Sequence, residues 1–238
     1  NASGCKTHWV PMKNNRYDLK VISNKINDYT KIIYIANPDN PMGTFITKSE
    51  FDKFYKSVPD RVLIILDEAY FEYAKDFERY PNSMNYRYDN IITLRTFSKA
   101  YGLAGIRVGY GFAHDSLIGN LLKVKAPFEP SLLGQIAASA ALSDHLFLKK
   151  SIKMNKIGIK YLEGEFTKEG IHFISSSTNF ITTIWPSEKI ANQINHRLLK
   201  KGFIVRQLTA FGSPNYIRIS VGLENENIKF VEAIKDII

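Results

Sequence analysis

The chain has 238 residues, 45% hydrophobic and 13% aromatic, enough to bury a sizeable core in one large or two modest domains. No apolar run approaches the ~20 residues that span a bilayer, and the most hydrophobic stretch, Val62 to Leu66, stops at Asp67 and Glu68, so no membrane-spanning helix is expected. The formal net charge of +9 raises nucleic acid and anionic membranes as partners, but the charges are scattered and neither is expected.

The one ordered basic set is Lys149, Lys153, Lys156 and Lys160, which helical spacing places on one face opposite Leu148, Ile152 and Ile159. No aromatics interleave to stack bases, so it reads as a solvated face. The single cysteine, Cys5, forbids an intramolecular disulfide and points to a reducing compartment, the cytoplasm; no CxxC or HExxH spacing marks a metal site. The chain opens at Asn1 in a polar run, NASGCK, and reads as an interior start, with any targeting peptide upstream.

In chain order, Lys31–Ala36 is a buried strand running into the turn NPDNPMG. Thr47 opens a helix with Glu50 three residues on, a capping box, and Phe51, Phe54 and Tyr55 form its apolar stripe. Arg61–Leu66, Ile91–Thr96 and Val108–Phe112 are further strands. Alternation with helices predicts parallel pairing, and near-continuous apolarity predicts a sheet covered on both faces. Helices follow at Asp115–Val124, Leu132–Leu142 and about His145–Lys168. Then come a strand at Asn179–Trp185, a helix at Ser187–Lys201, strands at Phe203–Arg206 and Tyr216–Val221, and a closing helix from Glu224. The change of texture places a domain boundary near residue 145, dividing 1–145 from 146–238.

Ligands of open α/β sheets bind at the carboxyl ends of the strands. The first strand ends at Asn37, Pro38, Asp39, Asn40; the second at Asp67, Glu68, Ala69, Tyr70; the third at Thr96, Phe97, Ser98, Lys99. One edge thus receives an amide, a carboxylate with a phenol, and two hydroxyls with an amine. A pyridine aldehyde cofactor would need an amine to hold its carbonyl carbon, a carboxylate for its ring nitrogen and donors for its phenolic oxygen and phosphate. Lys99 can supply the first and Asp67 the second; Tyr70 and Asn40 suit the oxygen, and Thr96, Ser98 and Arg107 the phosphate.

The segments TFSKAYGLAGIRVG, NPDNPMG and DEAYFEY, with TNF at 178–180 and YIRISVG around Arg218, resemble the motifs of class II pyridoxal-phosphate aminotransferases of fold type I, most closely the histidinol-phosphate aminotransferase group. The resemblance covers nearly the whole chain. It implies a mainly parallel α/β large domain, N-terminally truncated, and a smaller α+β C-terminal substrate domain. It also implies pyridoxal 5'-phosphate held by Lys99 as a Schiff base, a homodimer, and exchange of an amino group between an amino acid or phosphorylated amine and a 2-oxo acid. Arg218 would clamp the substrate α-carboxylate, Arg206 would meet its distal polar or phosphate group, Asn179 would lie beside the cofactor, and Lys99 would move the α-proton.

Two departures stand out. Met42 replaces the threonine usual after the second proline, and the family's N-terminal part, with its glycine-rich helix start for the phosphate and its ring-stacking aromatic, is not in the chain. The same scaffold also serves decarboxylases of phosphothreonine or phosphoserine and ligand-sensing halves of transcription regulators. Taken singly, Asp67 would be a helix cap, Tyr70 a core residue, Lys99 a surface lysine and Arg218 half of an ion pair; their convergence favours the site. Tyr73 and Tyr80 read as packing, and Gly102, Gly105 and Gly109 as turns or close approaches.

Overall fold

The fold follows from two separate sets of apolar residues that collect on two sheets. In the computed structural model, residues 4–86 and 88–238 are described; Asn1, where the interior start was read, lies outside them. A short helix α1 (Leu19–Asn24), capped by the Asp18 side chain, precedes strand β1 (Ile32–Ala36). Helix α2 (Lys48–Tyr55) begins in the expected capping box: Glu50 N donates to Thr47 Oγ1, and Thr47 N to the Glu50 carboxylate. Strand β2 (Leu63–Asp67), helix α3 (Phe71–Ala74), strand β3 (Ile91–Thr96) and strand β4 (Gly109–Ala113) complete the first half in the order β1-β2-β3-β4. The first three are parallel, with Ala36 opposite Asp67 and Asp67 opposite Leu94, so the strand ends share one edge.

Two expectations are corrected. β4 runs antiparallel to β3, because the segment between them doubles back with Phe97 N donating to Val108 O and has only one 3-10 turn, Ala104–Ile106, where a crossover helix would be needed. Gly109 permits the return: a Cβ there would lie 2.7 Å from Arg95 O. Second, only one face of β1 is covered among the described residues. Ile33 and Ile35 pack with Ile64, Leu66, Phe51 and Phe54, whereas Ile32 and Tyr34 are each 56% exposed. Gly105 lies within that 3-10 turn as expected, but no close approach accounts for it, since a Cβ there meets nothing within 4 Å.

Helices α4 (Asp115–Val124) and α5 (Leu132–Ser143) lead into the long α6 (His145–Lys168). On α6, Lys149, Lys153, Lys156 and Lys160 are exposed, Ile159 is buried, and Leu148 and Ile152 are half-buried. Then come β5 (His172–Ile174), β6 (Phe180–Ile184), α7 (Glu188–Lys200), β7 (Arg206–Leu208), β8 (Ser213–Ser220) and α8 (Glu224–Lys235). The four strands form an antiparallel sheet in the order β5-β6-β8-β7. Leu162, Phe166, Ile181, Leu198, Ile217 and Ile234 fill its core, each burial worth about 1.5–3 kcal/mol. Phe203–Val205, expected in a strand, leave α7 through Gly202 (φ +86°), and the ladder starts only at Arg206.

The halves meet at the turn after β1. Ser177 N and Oγ both donate to Gly43 O at 2.8 Å, and Thr182 Oγ1 donates to Pro41 O at 2.6 Å. Gly43 has φ +80° and approaches Ser176 so closely that a Cβ would sit 2.3 Å from its Oγ, which makes glycine obligatory there. Among the described residues no helix is long and apolar enough to cross a membrane, and no group of three or more His, Cys, Asp or Glu could hold a metal ion.

Candidate active site

An open cleft lies at the carboxyl ends of β2 and β3, lined by Asp67, Thr96, Ser98, Lys99 and Arg107 together with Arg95. β2 presents Asp67 because side chains alternate along it: Ile64 and Leu66 point into the core, so Asp67 faces the other way. Its Oδ1 accepts from Ala69 N at 3.1 Å, and its Oδ2 accepts from the hydroxyl of Tyr34. At the end of β3, Thr96 Oγ1 accepts from Ser98 N at 3.1 Å, bending the chain so that Ser98 and Lys99 enter the cleft. Arg107 adopts the left-handed conformation (φ 60°) and donates to Ala104 O at 2.7 Å.

Lys99 joins this group to a second one. Its Nζ lies 5.3 Å from the centre of the Tyr70 ring. Tyr70 is buried, its hydroxyl accepts from Asn40 Nδ2 at 3.2 Å, and Arg218 donates in turn to Asn40 Oδ1. A chain of polar contacts therefore runs from β8 of the second sheet to the edge of the first. Phe180, quoted only as part of a motif, packs edge-on to Tyr70 at 5.4 Å and lies 4.9 Å beneath the Arg218 guanidinium, so it supports both.

Partial burial holds the Lys99 amine below its ordinary range; the charges of Arg218 and Arg107 act in the same direction and Asp67 opposes them. Burial pushes the Tyr70 phenol up to about 12, against the pull of Arg218, so it stays a protonated donor. Arg206 sits directly opposite Arg218 in the β7–β8 pair and is exposed, with Phe211 6.0 Å from its guanidinium carbon. Like charges facing each other across a ladder are unfavourable in the absence of an anion. Asn179 contributes a carbonyl that accepts from Val221 N at 2.9 Å and directly precedes Phe180. Tyr80, read as packing, is buried with its hydroxyl on Asn37 O.

The sequence profile of the aminotransferase class I and II family matches residues 1–234. The chain belongs to that family. Within it, the chain is 41% identical over 228 residues to histidinol-phosphate aminotransferase 2 of Carboxydothermus hydrogenoformans, covering 95% of this chain and 62% of the relative. It is 43% identical over 232 residues to histidinol-phosphate aminotransferase 2 of Hydrogenovibrio crunogenus, covering 96% and 61%. The chain thus spans a little over three-fifths of the length of these curated relatives.

Among solved structures, histidinol-phosphate aminotransferase from Sinorhizobium meliloti, in complex with pyridoxal-5'-phosphate, superposes with a TM-score of 0.86 at 30% identity, over 96% of this chain and 64% of that one. L-threonine-O-3-phosphate decarboxylase from Porphyromonas gingivalis, at 18% identity and TM-score 0.75 over 90% of this chain and 66% of that one, shares the fold alone. The family's fold-type I architecture is therefore the architecture of this chain.

Proposed function

We propose that the protein is a pyridoxal-phosphate-dependent aminotransferase of the histidinol-phosphate type. The observation that carries this reading is that one cleft collects an amine of lowered proton affinity, a carboxylate fixed by two donors, and the hydroxyl and guanidinium groups of Thr96, Ser98 and Arg107. The donor set fits the cofactor, and Arg218 adds a buried Nε with no hydrogen-bond partner, ready for an anionic ligand. The relatives' activity supports the same choice.

Pyridoxal phosphate supplies, when bound, an electron-withdrawing ring that stabilises negative charge developing at the substrate Cα. Asp67 would keep a proton on the ring nitrogen, and Tyr70, positioned by Asn40, would donate to the ring's phenolic oxygen. Thr96, Ser98 and Arg107 would bind the phosphate. Lys99 Nζ, its proton affinity lowered by partial burial, would take the α-proton and return it in the course of the amino-group exchange. Arg218 would bind the α-carboxylate of an amino-acid substrate, and the facing Arg206 the distal polar or phosphate group, which relieves their mutual repulsion. The protein would work in the cytoplasm as a homodimer, as the single cysteine and the family resemblance suggest.

The test is borohydride reduction of the full-length protein with pyridoxal phosphate, followed by peptide mass analysis, and then incubation with glutamate and with histidinol phosphate. A phosphopyridoxyl adduct on Lys99 and conversion of the amines to carbonyl products are expected. An adduct elsewhere, or carbon dioxide release from phosphothreonine without a keto product, would reject the assignment.

A further inference from the structure

We propose that Tyr34 is a positioning residue for Asp67, fixing the plane of the carboxylate that meets the cofactor's ring nitrogen; this rests on the aminotransferase reading above. Ile33 and Ile35 point into the core, so Ile32 and Tyr34 occupy the opposite face of β1. Ala36 pairs with Asp67 and Tyr34 with Ile65, which puts Tyr34 on the same face as Asp67, one strand over and two residues back. From there the phenol reaches along the sheet and donates to Asp67 Oδ2.

Ala69 N holds the other oxygen, Oδ1. A carboxylate with one donor on each oxygen cannot turn about its last bond without losing both, and each oxygen keeps a lone pair for a further partner. Packing does not require the hydroxyl, because Tyr34 is more than half exposed and would cover the sheet equally well as phenylalanine. Burial of the phenol's tip, the hydrogen bond and the negative charge of Asp67 all hold the phenol above its usual range, so it remains a donor throughout the physiological range. The hydroxyl therefore has one evident use, to hold Asp67.

The experiment measures pyridoxal-phosphate affinity by spectral titration of the full-length protein, its Tyr34→Phe and Asp67→Asn variants and the double variant. The 15N resonance of labelled cofactor reports ring-nitrogen protonation. Tyr34→Phe is expected to weaken affinity about tenfold, the effect of one hydrogen bond to a charged group. It should also move the 15N resonance toward the unprotonated position, leave the far-ultraviolet circular dichroism of the cofactor-free protein at the assay temperature unchanged, and have no further effect once Asp67 is asparagine. Equal affinity and an unmoved resonance in Tyr34→Phe would overturn the role of Tyr34 alone, as would an equal loss in the Asp67→Asn background or a loss accompanied by unfolding of the cofactor-free protein at the assay temperature. A wild-type protein that forms no Lys99 adduct would overturn the aminotransferase reading, and with it the role of Tyr34.

Discussion

The amine of Lys99 sits among three charges, and each moves its proton equilibrium in a known direction. Burial lowers its proton affinity, Arg218 and Arg107 lower it further, and Asp67 raises it. In the cofactor-free protein, Lys99 should therefore be acylated at a lower pH than the exposed lysines of α6. Asp67→Asn removes the opposing charge and should move that pH lower still, whereas Arg218→Gln should move it higher; competitive labelling with mass analysis of the Lys99 peptide reads both shifts. Shifts of the opposite sign would reject the electrostatic picture. The linkage to stability follows: the folded state binds fewer protons at Lys99 than the unfolded chain does, so between the lowered value and 10.5 this group's contribution rises with pH. The placement of Lys99, Asp67, Tyr70 and Asn40 at one edge was legible in the sequence because each stands at or shortly past the end of an apolar strand. Tyr34 was not, since it looks like any strand residue until register sets it beside Asp67. Phe180 was hidden for a similar reason, because its two contacts lie across the junction of the halves.

At the scale of elements, the residue after Asp67 plays the opposite part. Glu68 is 1% exposed and grips Arg95 of β3 through both Nε (3.0 Å) and Nη2 (2.8 Å), while Phe71 lies 3.3 Å from the guanidinium carbon. Removing one partner of a buried pair strands the other charge, so Glu68→Ala should cost about 3–5 kcal/mol in urea unfolding; a loss below about 1 kcal/mol would show that Arg95 finds water or another partner. The cap of α2 is worth less. Thr47→Ala should cost about 1 kcal/mol in the same measurement, and no change would show that Glu50 and Arg16 hold the helix start unaided. Strands β1 to β3 were legible as apolar runs, yet the direction of β4 was not, because apolarity is blind to direction and only the lack of a crossover helix decides it. The ends of β7 were missed because Phe203–Val205 have a strand's composition but no ladder partner.

At the scale of the molecule, the turn 37–43 belongs to both halves at once. It carries Asn40 to Tyr70 and Arg218, and its Pro41 and Gly43 carbonyls receive Thr182 and Ser177. The sequence showed the turn's polar residues but not this second role, which depends on a contact between residues 134 apart in the chain. Covalent continuity is therefore not needed everywhere. The segment 125–129 is exposed throughout and carries no such bonds to the second sheet, so a protease nick there should leave two pieces that still elute together in gel filtration. A break within 37–43 leaves the halves covalently joined but should loosen their docking, since the carbonyls that receive Thr182 and Ser177 lie in that turn.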